Sequence, residues 1–331
     1  MMNIRDQLLP RLRQYLPQLV LFGAVWIAMA IAVPAFTGEA AVFSTLSQLP
    51  LVGLVALGVA ITMIAGELDL SVASMAALCG VLAIRLADLG LIAALGVVTV
   101  IGGVYGCLQG YLIARLRINS MVLTVASLIL LQGISWLASG GGSIQLTQFG
   151  LSDPLLARWG VLSPSILVAV VVFAAIGVYM SVSRWGREIY AVGGARNEAF
   201  AAGVPRLRPL IHAFAISGAC AGLAGGLVSL RAASATPDAF SSLLLAAVAA
   251  VLVGGVSLYG GRGTVVNVVL GVLIVSTLSA SLAISGQPTF VAQLLTGLLL
   301  LVVMAFEFTV KRLGATKPKV SRQPKTLVPA S

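Results

Sequence analysis

The chain has 331 residues, of which 59% are hydrophobic and only 9% are charged, and its net charge is +10. Soluble domains carry about 25% charged residues, and a chain with so few cannot cover an apolar core with polar surface. The composition therefore excludes a soluble enzyme, a disordered chain and a disulfide scaffold. The basic excess is typical of the cytoplasmic loops of a membrane protein and does not by itself indicate nucleic-acid binding.

The hydropathy pattern predicts an all-α, polytopic membrane helical bundle, because a bilayer core needs about 20 apolar residues per helix. About ten transmembrane helices are expected, of which the second, third and eighth are short or flanked by glycine, so one of them could be re-entrant. The predicted spans are about 18–37, 49–65, 70–87, 89–114, 121–138, 161–183, 209–230, 243–257, 264–285 and 289–309.

Three regions follow from these spans: a cytoplasmic N-terminal segment (1–17), a transmembrane domain (18–310) and a basic cytoplasmic tail (311–331) near anionic lipid. With the N-terminus inside, ten alternating helices leave both termini in the cytoplasm. All but three of the 20 Lys and Arg residues then lie on the inner side, as the positive-inside rule requires. The exceptions are Arg85, Arg158 and Arg231.

Two glycine series have the four-residue spacing that lets helices approach closely, 102–106–110 and 218–222–226. They predict a tightly packed bundle and no chemistry. The three cysteines lie in apolar segments and are interpreted as core residues, and the single histidine, His212, as an interfacial residue. We expect no metal site, no cofactor and no catalytic residue. The chain also lacks the phosphate-binding loop used for ATP hydrolysis.

The first block of interest is the segment 66–74, where two acids stand between two apolar spans. Gly66 permits a break in the chain, and Asp69 and Ser71 suit the start of the following helix as capping residues. Acids near hydrocarbon also occur where they line a cavity. Asp69 is therefore interpreted as a cap first and a substrate contact second. Glu67 is either an acid of the translocation path or a surface acid at the inner face.

The second block is the long inner loop 184–209. Gly193 and Gly194 predict a turn, and 195–202 predicts a short helix that includes Arg196, Asn197 and Glu198 and stops at Gly203. A helix of about two turns is unstable alone. Either packing on the membrane surface or a partner protein must hold it.

The third block, 254–263, contains five glycines at a cytoplasmic boundary and predicts a sharp turn that another backbone approaches closely. No strand precedes it and no Lys-Ser/Thr pair follows, so nucleotide binding is not favoured. The residues of this tight-turn block are Gly254, Gly255, Gly260, Gly261, Arg262 and Gly263.

On the outer side, the long loop 139–160 is a candidate docking surface, or a flexible connector with Trp159 in the interfacial belt.

These blocks resemble the permease of bacterial ABC carbohydrate importers of the ribose/galactose/xylose type. Segment 66–74 is similar to that family's Gly-Gly-Ile-Asp-Leu-Ser-Val-Gly-Ser, and 186–194 to its Gly-Arg-x-x-Tyr-Ala-Ile-Gly-Gly. Segment 254–264 is similar to Gly-Gly-x-Ser-Leu-x-Gly-Gly-Arg-Gly-Thr. Glu67 replaces the usual second glycine, as in some deoxy-sugar permeases, which favours a rhamnose-like substrate; ribose, galactose, xylose and an autoinducer-2-like furanose stay open.

The resemblance implies an inner-membrane transport subunit that is not an enzyme. A periplasmic substrate-binding protein would dock outside, and a second permease copy or paralogue would complete the path. A cytoplasmic ABC ATPase would grip the short inner helix at Gly193, Gly194, Arg196, Asn197, Glu198 and Gly203. The alternatives are a secondary carrier that works without an ATPase, a non-transporting scaffold and, least favoured, a membrane-embedded enzyme.

Overall fold

The computed structural model describes residues 15–148, 150–240 and 242–314. Most of them are helical. The helices are α1 (Leu16–Ala32), α2 (Gly38–Leu46), α3 (Leu54–Ile64), α4 (Val72–Arg85), α5 (Leu91–Leu116), α6 (Ser120–Ser139), α7 (Asp153–Leu156), α8 (Pro164–Val182), α9 (Arg184–Gly194), α10 (Arg196–Ala201), α11 (Leu207–Arg231), α12 (Leu243–Val253), α13 (Val265–Ile284) and α14 (Thr289–Gly314).

Six helical segments of the described chain are long and apolar enough to cross a membrane: 38–64, 91–116, 120–139, 164–182, 207–231 and 265–284. Four shorter apolar helices, α1, α4, α12 and the first part of α14, occupy the other predicted spans. Every predicted span therefore contains an apolar helix, and the boundaries differ by a few residues in most cases.

The second predicted span is the exception, because the helix there is long. It begins at Gly38, well before the predicted start at 49, and runs through α2 and α3 to Ile64. Pro50 has no backbone N–H to donate, and a π-helical turn, Leu49–Gly53, accommodates it without ending the helix. The third and eighth spans are short, as predicted; α12 ends at Val253 because two glycines follow it.

The first and last helices cross the boundaries of the predicted regions, and the regions themselves stay a prediction because a helix end does not mark a membrane boundary. Helix α1 begins at Leu16, inside the predicted segment 1–17, and α14 continues to Gly314, past the predicted boundary at 310. The rest of the N-terminal segment and of the basic tail lies outside the described residues.

The core of the bundle is formed by α3, α4, α11 and α13, whose residues are mostly buried. By contrast, α5, α6 and α8 bury a narrow face and expose Val, Leu and Ile elsewhere, which is typical of helices that face lipid or another membrane subunit. The two predicted glycine series pack against each other. A Cβ on Gly102 would overlap the Gly218 carbonyl, and one on Gly222 would overlap the Val98 carbonyl.

One end of the bundle carries the two short strands, β1 (Ile144–Gln145) and β2 (Ser234–Ala235), which pair antiparallel. At the same end Gln148 donates to Asp88 over 2.6 Å and Arg158 pairs with Glu39 over 3.3 Å. The connections α3–α4, α9–α10 and α12–α13 meet at the opposite end. The connections between helices therefore fall into two sets, one at each end of the bundle.

Candidate functional site

The three sequence blocks meet at one place, backbone against backbone. The amide of Gly261 donates to the carbonyl of Ile64 over 2.9 Å. A Cβ placed on Gly66 would lie 3.4 Å from the Gly193 Cα, and one on Gly260 would lie 2.8 Å from the Gly66 Cα. We call Gly66, Gly193, Gly260 and Gly261 the glycine junction. A side chain on Gly193, Gly260 or Gly261 would overlap the backbone of a neighbouring segment and force the segments apart.

Glycine is also required at Gly66 for the backbone conformation, since its φ is +77°. The residue ends α3 with a Schellman motif, in which Gly66 donates to the Met63 carbonyl (2.9 Å) and Glu67 to that of Thr62 (3.0 Å). The backbone of Glu67 is therefore fixed to the last turn of α3.

The side chain of Glu67 lies at the end of the bundle that carries the glycine junction, and it accepts a hydrogen bond from the Arg196 guanidinium over 2.7 Å. Its side chain is 10% exposed, and that of Arg196 is 39% exposed. The acid thus has a cationic partner from the second sequence block. Glu67 is thus paired and nearly buried, and its place on the translocation path or at the inner face stays a prediction.

Helix α10 is the short helix predicted in the inner loop, from Arg196 to Ala201, and Gly203 (φ +86°) stops it as expected. Three contacts with the bundle hold it: the Glu67–Arg196 pair, the buried Ala199, and Arg206 stacked 5.1 Å from the Phe200 ring centroid.

The side chains of Asn197 and Glu198 are exposed on the other face of α10. This short helix therefore presents one polar face away from the bundle.

The predicted turn at Gly193 and Gly194 is wrong, because both residues are the last turn of α9. The chain breaks one residue later, at Ala195 (φ −153°). A helix can carry the two glycines here because their bare backbone packs against Ile64 and Gly261.

Helix α9 is also fastened to the third block by its tyrosine. The Tyr190 hydroxyl donates to the Gly263 carbonyl over 2.8 Å. Burial raises the pKa of Tyr190, with a smaller contribution from Tyr15, so the phenol keeps the proton that it donates at neutral pH.

The third block forms the predicted sharp turn. Gly254 and Gly255 follow the end of α12. The backbone amide of Ser257 donates to the Arg262 carbonyl over 3.1 Å. The tip of the turn exposes Leu258 (49%) and Tyr259 (91%). Sequence reasoning named the glycines and Arg262 and missed these two. The available signal was a pair of large apolar residues in a glycine-rich inner turn.

Asp69 lies deeper in the bundle, 1% exposed, before the first turn of α4. One carboxyl oxygen accepts from the Ser71 amide (3.0 Å) and hydroxyl (2.7 Å), and the other accepts from the Ser217 hydroxyl (2.8 Å). The Gln109 amide donates to Ser71 over 3.0 Å. We call Asp69, Ser71, Gln109 and Ser217 the central polar cluster.

Both carboxyl oxygens of Asp69 thus hold the residue before α4 against α11, and Asp69 does not cap an amide of α4 itself. Gln109 and Ser217 were missed from the sequence, because only the fold shows that α5 and α11 face this turn. Their signal was weak: each is a polar residue next to one of the closely packed glycines, Gly110 and Gly218.

A second polar contact lies between the central cluster and the strand end. Gln132 of α6 donates to the Pro237 carbonyl over 2.7 Å and accepts from the Ser74 hydroxyl over 3.4 Å. It joins α4 and α6 to the segment that leads into α12.

The described residues form a polytopic membrane protein. It has six helices long enough to span a membrane, a glycine junction at one end and a buried polar cluster at the start of α4. Residues 41–304 match the family described as branched-chain amino acid transport system / permease component. The chain belongs to this family and, like its members, lies in the inner membrane, as expected from the sequence.

Curated relatives agree with this assignment. The L-arabinose ABC transporter permease protein AraH of Azospirillum brasilense is 31% identical over 290 residues, which cover 87% of this chain and 86% of that protein. The ribose import permease protein RbsC of Bacillus subtilis is 28% identical, with coverages of 88% and 91%. The D-allose transport system permease protein AlsC of Escherichia coli is 28% identical, with coverages of 77% and 79%. No solved structure gives a significant match.

Proposed function

We propose that this chain is the permease subunit of an ABC importer that carries a simple sugar into the cell, and that a separate ATPase drives it. The observation that carries the proposal is the full-length similarity to permeases named for L-arabinose, ribose and D-allose. The absence of a phosphate-binding loop from the sequence supports a division of labour, since the chain needs another protein to hydrolyse ATP.

The sugar itself is proposed only as a pentose or hexose. The relatives' names favour arabinose-like and ribose-like pentoses, whereas the resemblance of Glu67 to deoxy-sugar permeases favours rhamnose. Because Glu67 faces Arg196 at the inner rim, it has an intramolecular partner that accounts for an acid there. Glu67 is therefore not needed as a sugar-binding residue to explain its presence, and it favours rhamnose less strongly.

Ten crossings with both termini inside are the proposed topology. The proposal is supported by the way in which the connections between helices divide between the two ends of the bundle. Every described connection that the alternation places inside lies at the end with the glycine junction, where Tyr15 also bonds Thr264 (3.2 Å). The strand pair and the Glu39–Arg158 pair lie at the other end. Helices α4 and α12 are shorter than the bilayer, so they cross with their ends inside the bundle.

The ATPase is proposed to dock on the inner rim at α10 and the neighbouring turn. Asn197 and Glu198 are exposed on α10, and Tyr259 is almost fully exposed on a turn whose Gly261 packs on Gly194. An exposed aromatic residue beside a charged helix is typical of an interface anchor. The two elements form one surface because the glycine junction fixes them to each other.

The central polar cluster is proposed to hold the start of α4 at the translocation path. Asp69 has no free carboxyl oxygen in this conformation, so it positions the helix and does not meet the sugar. A second copy of the chain, or a paralogue, would bring an equivalent cluster to the other side of the path. The substrate-binding protein is proposed to dock at the loop 139–160.

The test is ATP-driven uptake by vesicles that contain this permease together with the ATPase and the substrate-binding protein of its importer. Radiolabelled L-arabinose, D-ribose, D-allose, L-rhamnose, D-xylose and D-galactose are compared. Saturable accumulation of at least one of them, dependent on both ATP and the binding protein, is the expected result. Uptake of none of these sugars would contradict the proposal.

A further inference from the structure

The Glu67–Arg196 pair joins two elements that the proposed function gives different tasks. Arg196 is the first residue of α10, on which we propose that the ATPase docks. Glu67 follows the last turn of α3 and stands two residues before Asp69 of the central polar cluster. One ion pair therefore connects the docking helix to the turn that positions α4.

The side chains of α10 divide between two directions. Arg196 reaches into the bundle, where its guanidinium meets Glu67. Asn197 and Glu198 are exposed. The residues of α10 that a partner protein can contact, Asn197 and Glu198, are thus different from Arg196, which contacts the bundle.

The Glu67 side of this connection is held by hydrogen bonds to neighbouring helices. The backbone of Glu67 is bonded to Thr62, and that of Leu68 is bracketed by Ser120 (N–H to hydroxyl, 3.4 Å) and Thr124 (hydroxyl to carbonyl, 3.2 Å) of α6. A shift of Glu67 must therefore displace the start of α4 or break these hydrogen bonds.

Separating the pair is unfavourable because Glu67 is nearly buried. Removal of Arg196 would leave an acid with little access to water and without its cationic partner, which costs far more than the loss of a surface ion pair. Movement of α10 and movement of the α3–α4 turn are therefore favoured together over movement of either alone.

We propose that the Glu67–Arg196 ion pair is the internal link through which displacement of α10 by the ATPase reaches the central polar cluster. This inference rests on the proposed function, in that α10 is taken as the docking helix. The pair positions the α3–α4 turn and contacts neither ATP nor sugar. Glu67 and Arg196 are accordingly coupling residues, whereas Asn197 and Glu198 are docking residues.

The first test measures sugar transported per ATP hydrolysed in vesicles of the complete complex. Glu67→Gln and Arg196→Gln should each lower this ratio at least ten-fold while ATPase binding stays within two-fold of wild type. The double variant should be no worse than either single variant, and Arg196→Lys should restore most of the ratio. Arg184→Gln is the matched control, since it breaks the Arg184–Glu188 pair within α9 and should leave the ratio unchanged.

The second test needs no partner protein. In the purified full chain in lipid nanodiscs, Arg196→Gln should accelerate amide hydrogen exchange in residues 67–72, and Glu67→Gln should accelerate it in 196–202. Arg184→Gln should change neither segment. Unchanged exchange across the pair, or a wild-type transport ratio in Glu67→Gln, would overturn the proposal. Absence of any ATP-driven uptake by the wild-type complex would instead overturn the proposed function, while the exchange experiment still decides the link.

Discussion

The amide of Gly261 donates to the carbonyl of Ile64 over 2.9 Å, and this hydrogen bond joins the two inner turns that lie farthest apart in the sequence among the three blocks. The Cα of Gly194 lies in the space that a side chain on Gly261 would occupy. The inner rim is therefore a joint built from backbone, in which three segments touch without intervening side chains. Closely packed backbone has low compressibility, so we expect a displacement of one segment to move the other two.

The joint predicts that Gly261→Ala destabilises the protein strongly. Gly261 has φ +68°, and its added Cβ would overlap Gly194; left-handed backbone alone costs about 1–2 kcal/mol for a non-glycine residue. Gly286→Ala is the control, because Gly286 has φ +72° with open space around its added Cβ. Thermal unfolding in detergent should show a much larger drop in midpoint for Gly261→Ala. Equal drops for the two variants would show that the close approach contributes nothing.

The α5–α11 contact predicts a similar contrast within one helix. A Cβ on Gly106 would overlap the Phe214 carbonyl, whereas Gly96 of the same helix has open space. Gly106→Ala should therefore cost about 1–3 kcal/mol through overpacking. Gly96→Ala should be neutral or stabilise by up to about 1 kcal/mol, because alanine favours helix. The unfolding midpoint in detergent distinguishes them, and a Gly106→Ala variant as stable as Gly96→Ala would exclude close backbone packing here.

Sequence and structure agree on the parts that local patterns determine. The apolar segments, the stop at Gly203 and the tight turn 254–263 are each set by residues within a few positions, so hydropathy and glycine spacing were enough to predict them. The second span was predicted to start at 49, whereas the helix begins at Gly38 and passes Pro50 through a π-helical turn. Gly193 and Gly194 were assigned to a turn because their helical conformation depends on Ile64 and Gly261, which are distant in sequence.

In the candidate site, too, local features could be predicted from the sequence, whereas contacts between distant segments could not. Asp69 and Ser71 were predicted to suit the start of the following helix as capping residues. Ser71 is the N-cap residue of α4, but neither side chain accepts from an amide of the helix's first turn; Asp69 accepts from the amide and hydroxyl of Ser71. Their partners Gln109 and Ser217 come from α5 and α11, and no local pattern states that these helices flank the turn. The partner of Glu67 was unpredictable for the same reason, since Arg196 reaches it only through the packing of α9 on α3.

The central polar cluster predicts that Ser217→Ala is more harmful than another buried serine substitution. Loss of the Ser217 hydroxyl leaves one oxygen of the buried Asp69 carboxyl without its donor, which costs about 1–3 kcal/mol. Ser281→Ala is the control, since the Ser281 hydroxyl, equally buried, donates only to the Leu278 carbonyl of its own helix. Equal unfolding midpoints for the two variants would mean that the Asp69–Ser217 bond does not stabilise the fold.

Asp69→Asn separates the two roles considered for this acid. If Asp69 positions α4, the amide should lower the midpoint and the yield of folded protein, because one of its two terminal atoms can no longer accept a hydrogen bond. Transport per folded molecule should then fall by less than ten-fold. Normal stability combined with abolished transport would instead identify Asp69 as a direct contact of the sugar.

The docking surface predicts that Glu198→Arg and Tyr259→Ala each weaken ATPase binding at least ten-fold without changing the unfolding midpoint. Both side chains are exposed and their replacement disturbs no contact with the core. Phe290→Ala is the matched aromatic control, since Phe290 is 65% exposed at the start of α14, which the proposed topology places outside. Affinity is measured by titrating the ATPase onto nanodiscs. Unchanged affinity in both variants would place the ATPase elsewhere.

As proposed, this permease does no work of its own and is moved by an ATPase at its inner rim. The most direct measurement compares sugar accumulation by vesicles that hold the permease alone with accumulation by vesicles that also hold the ATPase and the binding protein. Accumulation against a gradient is expected only in the complete vesicles and only with ATP. Accumulation by the permease alone would contradict it.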